Sequence, residues 1–281
     1  MKIKELNCTK CPNCGATLKS PQAEKTIKCE YCGTVFEVEY DVEKPKSSSA
    51  IQTGIKSKRS KKTERLVETA IMIALAFALS MVSDLVPFLQ LPFGGKVTLV
   101  SCLPLVYIGV RYGLGQGLLA GIITGVIQLV LGLAKNASSL MLEHWYETVF
   151  MLLLDYIVAY TAIGLSGILR KSKRGPIKLA FGSIIGLTAR YISHIFSGWI
   201  FFGQWAEWFF EDAAETYPGT WYASLSESIL SKFSGSGLAL VYSTVYNGLY
   251  MIPEIIVTAV VGAIIGAVPF IARRVRGEDL A

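Results

Sequence analysis

The chain has 281 residues, 52% of them apolar and 17% charged, with a net charge of +6 and a positive mean hydropathy. That balance excludes an ordinary soluble domain and predicts an all-α membrane protein with the lipid bilayer as its first partner. The positive charge sits in one basic run and in short loops, which suits an anionic inner leaflet and argues against nucleic acid as a partner.

Residues 1–43 read as a separate module. Cys11 and Cys14 in CPNCG and Cys29 and Cys32 in CEYCG form two C-x-x-C turns, each followed by a glycine that supplies positive φ. Two such turns complete a tetrahedral site of four thiolates, the ligand set of structural Zn2+. TVFEVEY, 34–40, alternates as a half-buried strand does. The module is similar to a small β-type zinc ribbon whose folding free energy comes mostly from the metal. Cys8 makes another C-x-x-C with Cys11, an alternative register. A disulfide pair or a redox C-x-x-C is the other use of such cysteines, disfavoured by the cytoplasmic placement argued below.

Residues 44–63 are rich in Ser and Lys and are expected to be a flexible basic linker. The first sixty residues lack an apolar core followed by a cleavage site, so the first span is expected to act as an uncleaved insertion signal.

Residues 64–276 carry six apolar segments, each read against the ~20 helical residues that a hydrocarbon core requires. They are 66–86, 97–111 with Pro104 inside it, 114–133, 148–169, 177–202 and 238–271, the last long enough to tilt, kink near Pro253 or leave the bilayer. The fold class expected is therefore a six-transmembrane-helix bundle preceded by a ribbon. Lys and Arg gather at 56–65, 111, 170–178 and 273–276, whereas 203–237 holds Glu207, Glu211, Asp212, Glu215 and Glu227. The asymmetry predicts a multi-pass protein of the cell membrane with both termini cytoplasmic.

Two helix faces are lined by small residues. Gly113, Gly117, Gly121 and Gly125 in the third span would admit another helix closely, within this chain. Ala70, Ala74 and Ala78 in the first span serve either internal packing or a partner subunit, which sequence alone leaves open. The aromatic residues of 203–237, including Trp205, Trp208, Phe209, Phe210, Trp221 and Tyr222, suggest an interfacial belt or a lid.

Ionisable residues in lipid-depth helices are costly, about 2.5–3.5 kcal/mol each on insertion scales, and are functional candidates. Asp155 lies in MLLLDYIVAY, about 10 Å from the outer end of the fourth span. RYISHIFSGWIFFG places His194, Gly198 and Phe202 on one face, and YSTVYNGLY supplies Tyr242, Tyr246, Asn247 and Tyr250. Three helices thus bring an acid, an imidazole, an amide and aromatic rings to one depth, suited to a small, flat, cationic ligand. Cys102 is expected to be a core residue. Nothing indicates an enzyme: no H-E-x-x-H, G-x-S-x-G or P-loop occurs, and neither His144 nor His194 has a second histidine at metal spacing, so no catalytic residue is expected.

Residues 64–275 resemble the substrate-binding S component of energy-coupling factor transporters, in particular its thiamine-binding family. The resemblance rests on AIMIALAFA, GGKVTLVSCLPLVYIGVRYG, LLLDYIVAY, RYISHIFSGWIFF and YSTVYNG. It implies a thiamine pocket built from Asp155 and Tyr156, from His194, Gly198 and Phe202, and from Tyr242 and Asn247. Asp155 stands where some relatives have Glu, and Phe202 where some have Trp; a Trp that some place over the ligand before Lys96 is missing, with Phe93 as a substitute. The resemblance further implies a membrane scaffold subunit, contacted by Ala70, Ala74 and Ala78, and a cytoplasmic ATPase pair that together release thiamine inside. The ribbon is not a usual part of the family. The alternatives are an S component for another vitamin or a thiamine precursor, and a membrane-anchored regulatory protein that works through the ribbon.

Overall fold

The computed structural model describes residues 2–3, 10–11, 13–16, 26–38, 49–89, 91, 95–136, 142–172 and 175–278. It divides into two compact units, 1–60 and 61–281.

In the first unit, β1 (Lys2–Ile3), β2 (Thr26–Lys28) and β3 (Val35–Val38) form a sheet in the order β1-β3-β2. β2 and β3 are antiparallel, with Thr26 opposite Glu37 and Lys28 opposite Val35, so the second knuckle joins them as a hairpin. β3 lies within the stretch whose alternation predicts a strand. Both knuckles turn through left-handed glycines, Gly15 at φ 72° and Gly33 at φ 67°. Their N–H groups return to the carbonyls of Cys11 and Cys29, which closes each C-x-x-C loop.

Helix α1 runs from Ser49 to Asp84, 36 residues, and includes most of the segment expected as a flexible linker. Lys, Arg, Gln and Glu dominate 52–65 and are good helix formers, so a helix nucleated in the apolar stretch extends backwards at low cost. Pro45 is the last strong breaker before it.

Among the described residues, five helices are long and apolar enough to cross a membrane: Lys61–Asp84, Leu114–Ala134, Trp145–Lys171, Ile177–Phe201 and Gly235–Ala267. The second expected segment is of another kind. Residues 97–102 are irregular, and α2 (Leu103–Tyr112) has ten residues, about 15 Å or half the hydrocarbon core. Leu103 to Arg111 are all buried, so α2 is an inner rod wrapped by its neighbours. Pro104 sits in its first turn, where no helical hydrogen bond is lost. The turn before it holds Leu99 and Val100 at positive φ, costly for a β-branched residue. Glu254 secures that turn, accepting from Thr98 N–H at 2.7 Å and from its hydroxyl at 2.8 Å.

The glycine stripe packs within the chain. A Cβ at Gly117 would come within 2.9 Å of Gly109 Cα and Gly164 O, and one at Gly121 would collide with Tyr160 O. So α3 (Leu114–Asn136) lies backbone to backbone on the fourth span. That span is α4 (Trp145–Leu152), a π-helical stretch (Leu153–Val158), α5 (Ala159–Ile163) and a 3-10 turn (Gly164–Lys171). Helices α6 (Gly175–Phe201) and α9 (Gly235–Ala267) are partners: Cβ atoms at Gly198 and Gly262 would press on Ser243 and on Leu103, Leu179 and Ser183. α9 ends at Ala267, and a separate α10 (Pro269–Arg276) takes the remainder of the sixth apolar segment. Between α6 and α9 stand α7 (Ala206–Thr216) and α8 (Trp221–Lys232).

One end of the bundle is basic. Arg111 meets Glu68 at 3.0 Å and Glu64 at 3.6 Å, and Arg274 meets both acids at 3.5 and 3.3 Å. Tyr107 and Tyr112 donate to Glu68, and buried Lys178 donates to the carbonyls of Arg170 and Val275.

Candidate functional site

Asp155 lies in the π-helical stretch. The fourth helix starts at Trp145, three residues earlier than expected, which sets Asp155 about 15 Å from its end, near mid-membrane. A π turn widens the helix and leaves main-chain groups poorly satisfied, a frequent feature of functional positions. Ser193 of α6 answers this by donating to Leu154 O at 2.8 Å.

Both carboxylate oxygens of Asp155 are engaged by α6. Oδ1 lies 2.8 Å from His194 Nδ1, and Oδ2 accepts from the Ser197 hydroxyl at 2.8 Å. On the far side of the imidazole, Arg190 Nε donates to His194 Nε2 at 3.2 Å. An Nε2 that accepts cannot carry a hydrogen, so the network assigns the neutral Nδ1–H tautomer, which donates to Asp155. Arg190 is buried, donates to Cys102 Sγ at 2.9 Å and lies 4.5 Å over the Tyr160 ring. The core position expected for Cys102 therefore also carries a polar contact.

α9 adds a ladder of rings. Tyr242, Tyr246 and Tyr250 recur every four residues, with centroids 5.9 and 6.2 Å apart, and Tyr250 meets His194 edge-on at 6.0 Å. At the other end, Phe209 of α7 packs edge-on against Tyr242 at 5.2 Å and Tyr246 at 6.0 Å. The ladder thus runs from α7 down to the imidazole. Asn247 fixes its lower end: Oδ1 accepts from the Tyr250 hydroxyl at 2.6 Å, and Nδ2 donates to Ser243 O at 2.8 Å and His194 O at 3.3 Å. Tyr246 accepts from Gly95 N–H at 3.2 Å, tying the α1–α2 connection to the same wall.

The sequence-derived residues separate into three groups. Asp155, His194, Asn247 and the tyrosines converge. Gly198 stands at the closest approach of α6 and α9, where a Cβ would collide with Ser243 Oγ, so its part is to admit α9. Tyr156 points its hydroxyl at Gly132 of α3, and Phe202 lies half-buried at the end of α6 against the core. Phe93 lies outside the described residues. Arg190, Ser197 and Glu254 were not singled out from sequence, although the rule that flags charge in a lipid-depth helix applies equally to Arg190 and Glu254.

In the first unit, Cys11, Cys14, Cys29 and Cys32 present their four sulfur atoms within 4.8 Å of one another. Cys11–Cys32 and Cys14–Cys29 are both 3.7 Å apart. Tetrahedral zinc with ~2.3 Å Zn–S bonds requires about 3.8 Å between sulfurs, so the donor set fits the ion in number, chemistry and spacing. The Thr34 hydroxyl and backbone, hydrogen bonded to Cys32, pull that thiol down to about 6. Cys14 is pushed up to about 12: the Ala16 backbone lowers it, but desolvation and the neighbouring cysteines prevail. Thiolates this close resist ionising together unless a cation lies between them. Cys8 lies outside the described residues.

Residues 66–208 match the model of the Thiamine transporter protein family. The chain is also 33% identical over 215 residues to the thiamine transporter ThiT of Bacillus subtilis, covering 72% of this chain and 90% of that protein. The chain belongs to the thiamine transporter family. A solved structure of ThiT from Listeria monocytogenes is similar over 75% of this chain and 98% of that one, with 21% identity and a TM-score of 0.49. As a member of a family of transporters, the chain is a multi-pass membrane protein and not an enzyme. The family match includes α1 from residue 66 onward, α2, the π stretch with Asp155 and the whole of α6 with Arg190, His194 and Ser197. It stops at Trp208, one residue before Phe209, so Tyr242, Tyr246 and Tyr250 of α9 and the whole of the ring ladder stand beyond the matched segment.

Proposed function

We propose that this thiamine transporter family member captures thiamine from outside and acts as the S component of an ATP-driven energy-coupling factor transporter. The observation that carries the reading is the junction of a carboxylate–imidazole pair with a ladder of aromatic rings at one depth. Thiamine joins a permanently cationic thiazolium to an aminopyrimidine. The first calls for negative charge and ring faces, and the second for hydrogen bonds in its plane.

In this reading Asp155 supplies the charge while holding His194 in one tautomer, and the tyrosine faces stack the ligand. Tyr242 and Asn247 shape the α9 wall, and Gly198 lets it close on α6. Phe202 and Tyr156 border the pocket and meet the ligand after side-chain rotation. Both termini are cytoplasmic, with α7 and α8 outside. Ala70, Ala74 and Ala78 are all exposed, as a track for a scaffold subunit would be, and a cytoplasmic ATPase pair supplies the energy. The four cysteines hold structural Zn2+ and give residues 1–43 their fold. The module boundaries 1–43 and 64–276 are part of the same proposal.

Quenching of tryptophan fluorescence in the purified full chain tests it. Saturable quenching by micromolar thiamine is expected, and a chain shortened by residues 1–60 is expected to bind as well. A response to a different vitamin with none to thiamine would reassign the ligand. Loss of transport on truncation, with no binding by either form, would favour the regulatory reading.

A further inference from the structure

The basic end of the bundle contains a cavity of about 500 Å³ lined by Lys61, Lys62, Glu64, Arg65, Leu66, Arg111 and Tyr112. Four cations face one carboxylate there. That carboxylate, Glu64, is already shared between Arg111 and Arg274, and its neighbour Glu68 is also held by both arginines and by two tyrosine hydroxyls. The acids at this end therefore neutralise the arginines of α2 and α10, and Lys62 and Arg65 of α1 add positive charge to the cavity. Arg111 is a rigid floor, with its side chain only 4% exposed, while Lys62 and Arg65 stand exposed at the rim.

The position narrows the ligand. The cavity lies where α1 passes from the polar run Lys61, Lys62, Thr63, Glu64 and Arg65 to the apolar run that starts at Leu66, and Leu66 gives it one greasy wall. A pocket at the polar–apolar boundary with cations above and a leucine below matches a phosphate attached to something that continues into the hydrocarbon. We infer that this cavity binds a phosphate monoanion or phosphodiester, as carried by the headgroup of an anionic phospholipid such as phosphatidylglycerol. Its site lies at the opposite end of the bundle from α7 and α8 and shares no residue with the ring ladder.

The test uses the full chain in neutral detergent, followed by native mass spectrometry and thermal unfolding. Phosphatidylglycerol, phosphatidylcholine and inorganic phosphate are titrated separately. Phosphatidylglycerol is expected to remain bound and raise the midpoint, and phosphatidylcholine is expected to do neither. A Lys62→Gln/Arg65→Gln variant should lose about 25-fold in phosphatidylglycerol affinity, at roughly fivefold for each cation, with thiamine binding unchanged. Lys171→Gln/Arg273→Gln removes the same charge away from the cavity and should leave the lipid affinity in place. If inorganic phosphate alone protects wild type but not the Lys62/Arg65 variant, the cavity takes a soluble phosphate and the chemistry stands with another source. Equal binding of the two lipids, or equal losses in the two variants, would overturn the inference.

Discussion

Two charged clusters among the described residues, one at the basic end and one at mid-depth, are built differently. At the basic end Glu64 and Glu68 face Arg111 and Arg274, and two tyrosine hydroxyls complete the set. At mid-depth a single carboxylate, Asp155, faces a neutral imidazole and a serine, and the nearest cation, Arg190, lies on the other side of the ring against Cys102 and Tyr160. The first cluster is closed on itself and ties α1, α2 and α10 together. The second leaves negative charge without a cation of its own beside a column of ring faces. Buried polar groups that satisfy one another hold a fold; a buried charge left incompletely answered waits for a ligand.

Exchanging the two kinds of acid for amides should expose that difference. Asp155→Asn is expected to weaken thiamine binding roughly 10- to 100-fold, the value of a hydrogen bond or contact with a charged group, and to shift the unfolding midpoint little. Glu68→Gln should do the reverse, costing roughly 2 kcal/mol of stability with an unchanged dissociation constant. Tryptophan quenching and thermal unfolding on both variants decide it, and matching profiles would erase the distinction. Tyr250→Phe removes only the hydroxyl that anchors Asn247, so an affinity loss of about fivefold is expected. The smallest effect on binding should come from the first unit: stripping the zinc proposed there with a chelator should abolish that unit's structure, seen by circular dichroism, yet leave the thiamine dissociation constant within about twofold, since the residues proposed to bind the ligand all lie in 61–281.

Much of this was legible in sequence for a simple reason. Asp155, His194 and Asn247 interrupt apolar runs, and interruption is visible without coordinates. The ribbon was legible because C-x-x-C followed by glycine encodes both ligand geometry and the φ that permits it. Arg190 was equally visible, in the same run as His194, but its use depends on what lies opposite, and Cys102 is 88 residues away. Tyr156 shows a different limit. It neighbours Asp155 in the chain, and in a π-helical turn that neighbour's hydroxyl faces α3 rather than α6. The helix at 49–63 and the short α2 were misjudged because local composition does not record how far a helix propagates or whether an apolar segment faces lipid or protein.

Sequence by itself determined the membrane class, the basic and acidic ends of the bundle, the cluster of four cysteines and the chemical types gathered near mid-membrane, since these follow from composition, spacing and the cost of charge in hydrocarbon. Tertiary structure decided which groups pair. Only the packing of α6 on the π stretch brings His194 to Asp155, only the approach of α9 at Gly198 stacks the tyrosines beside them, and only the meeting of α1 and α2 encloses the basic cavity. Pairing of that kind depends on distances between residues far apart in the chain, which no local pattern encodes.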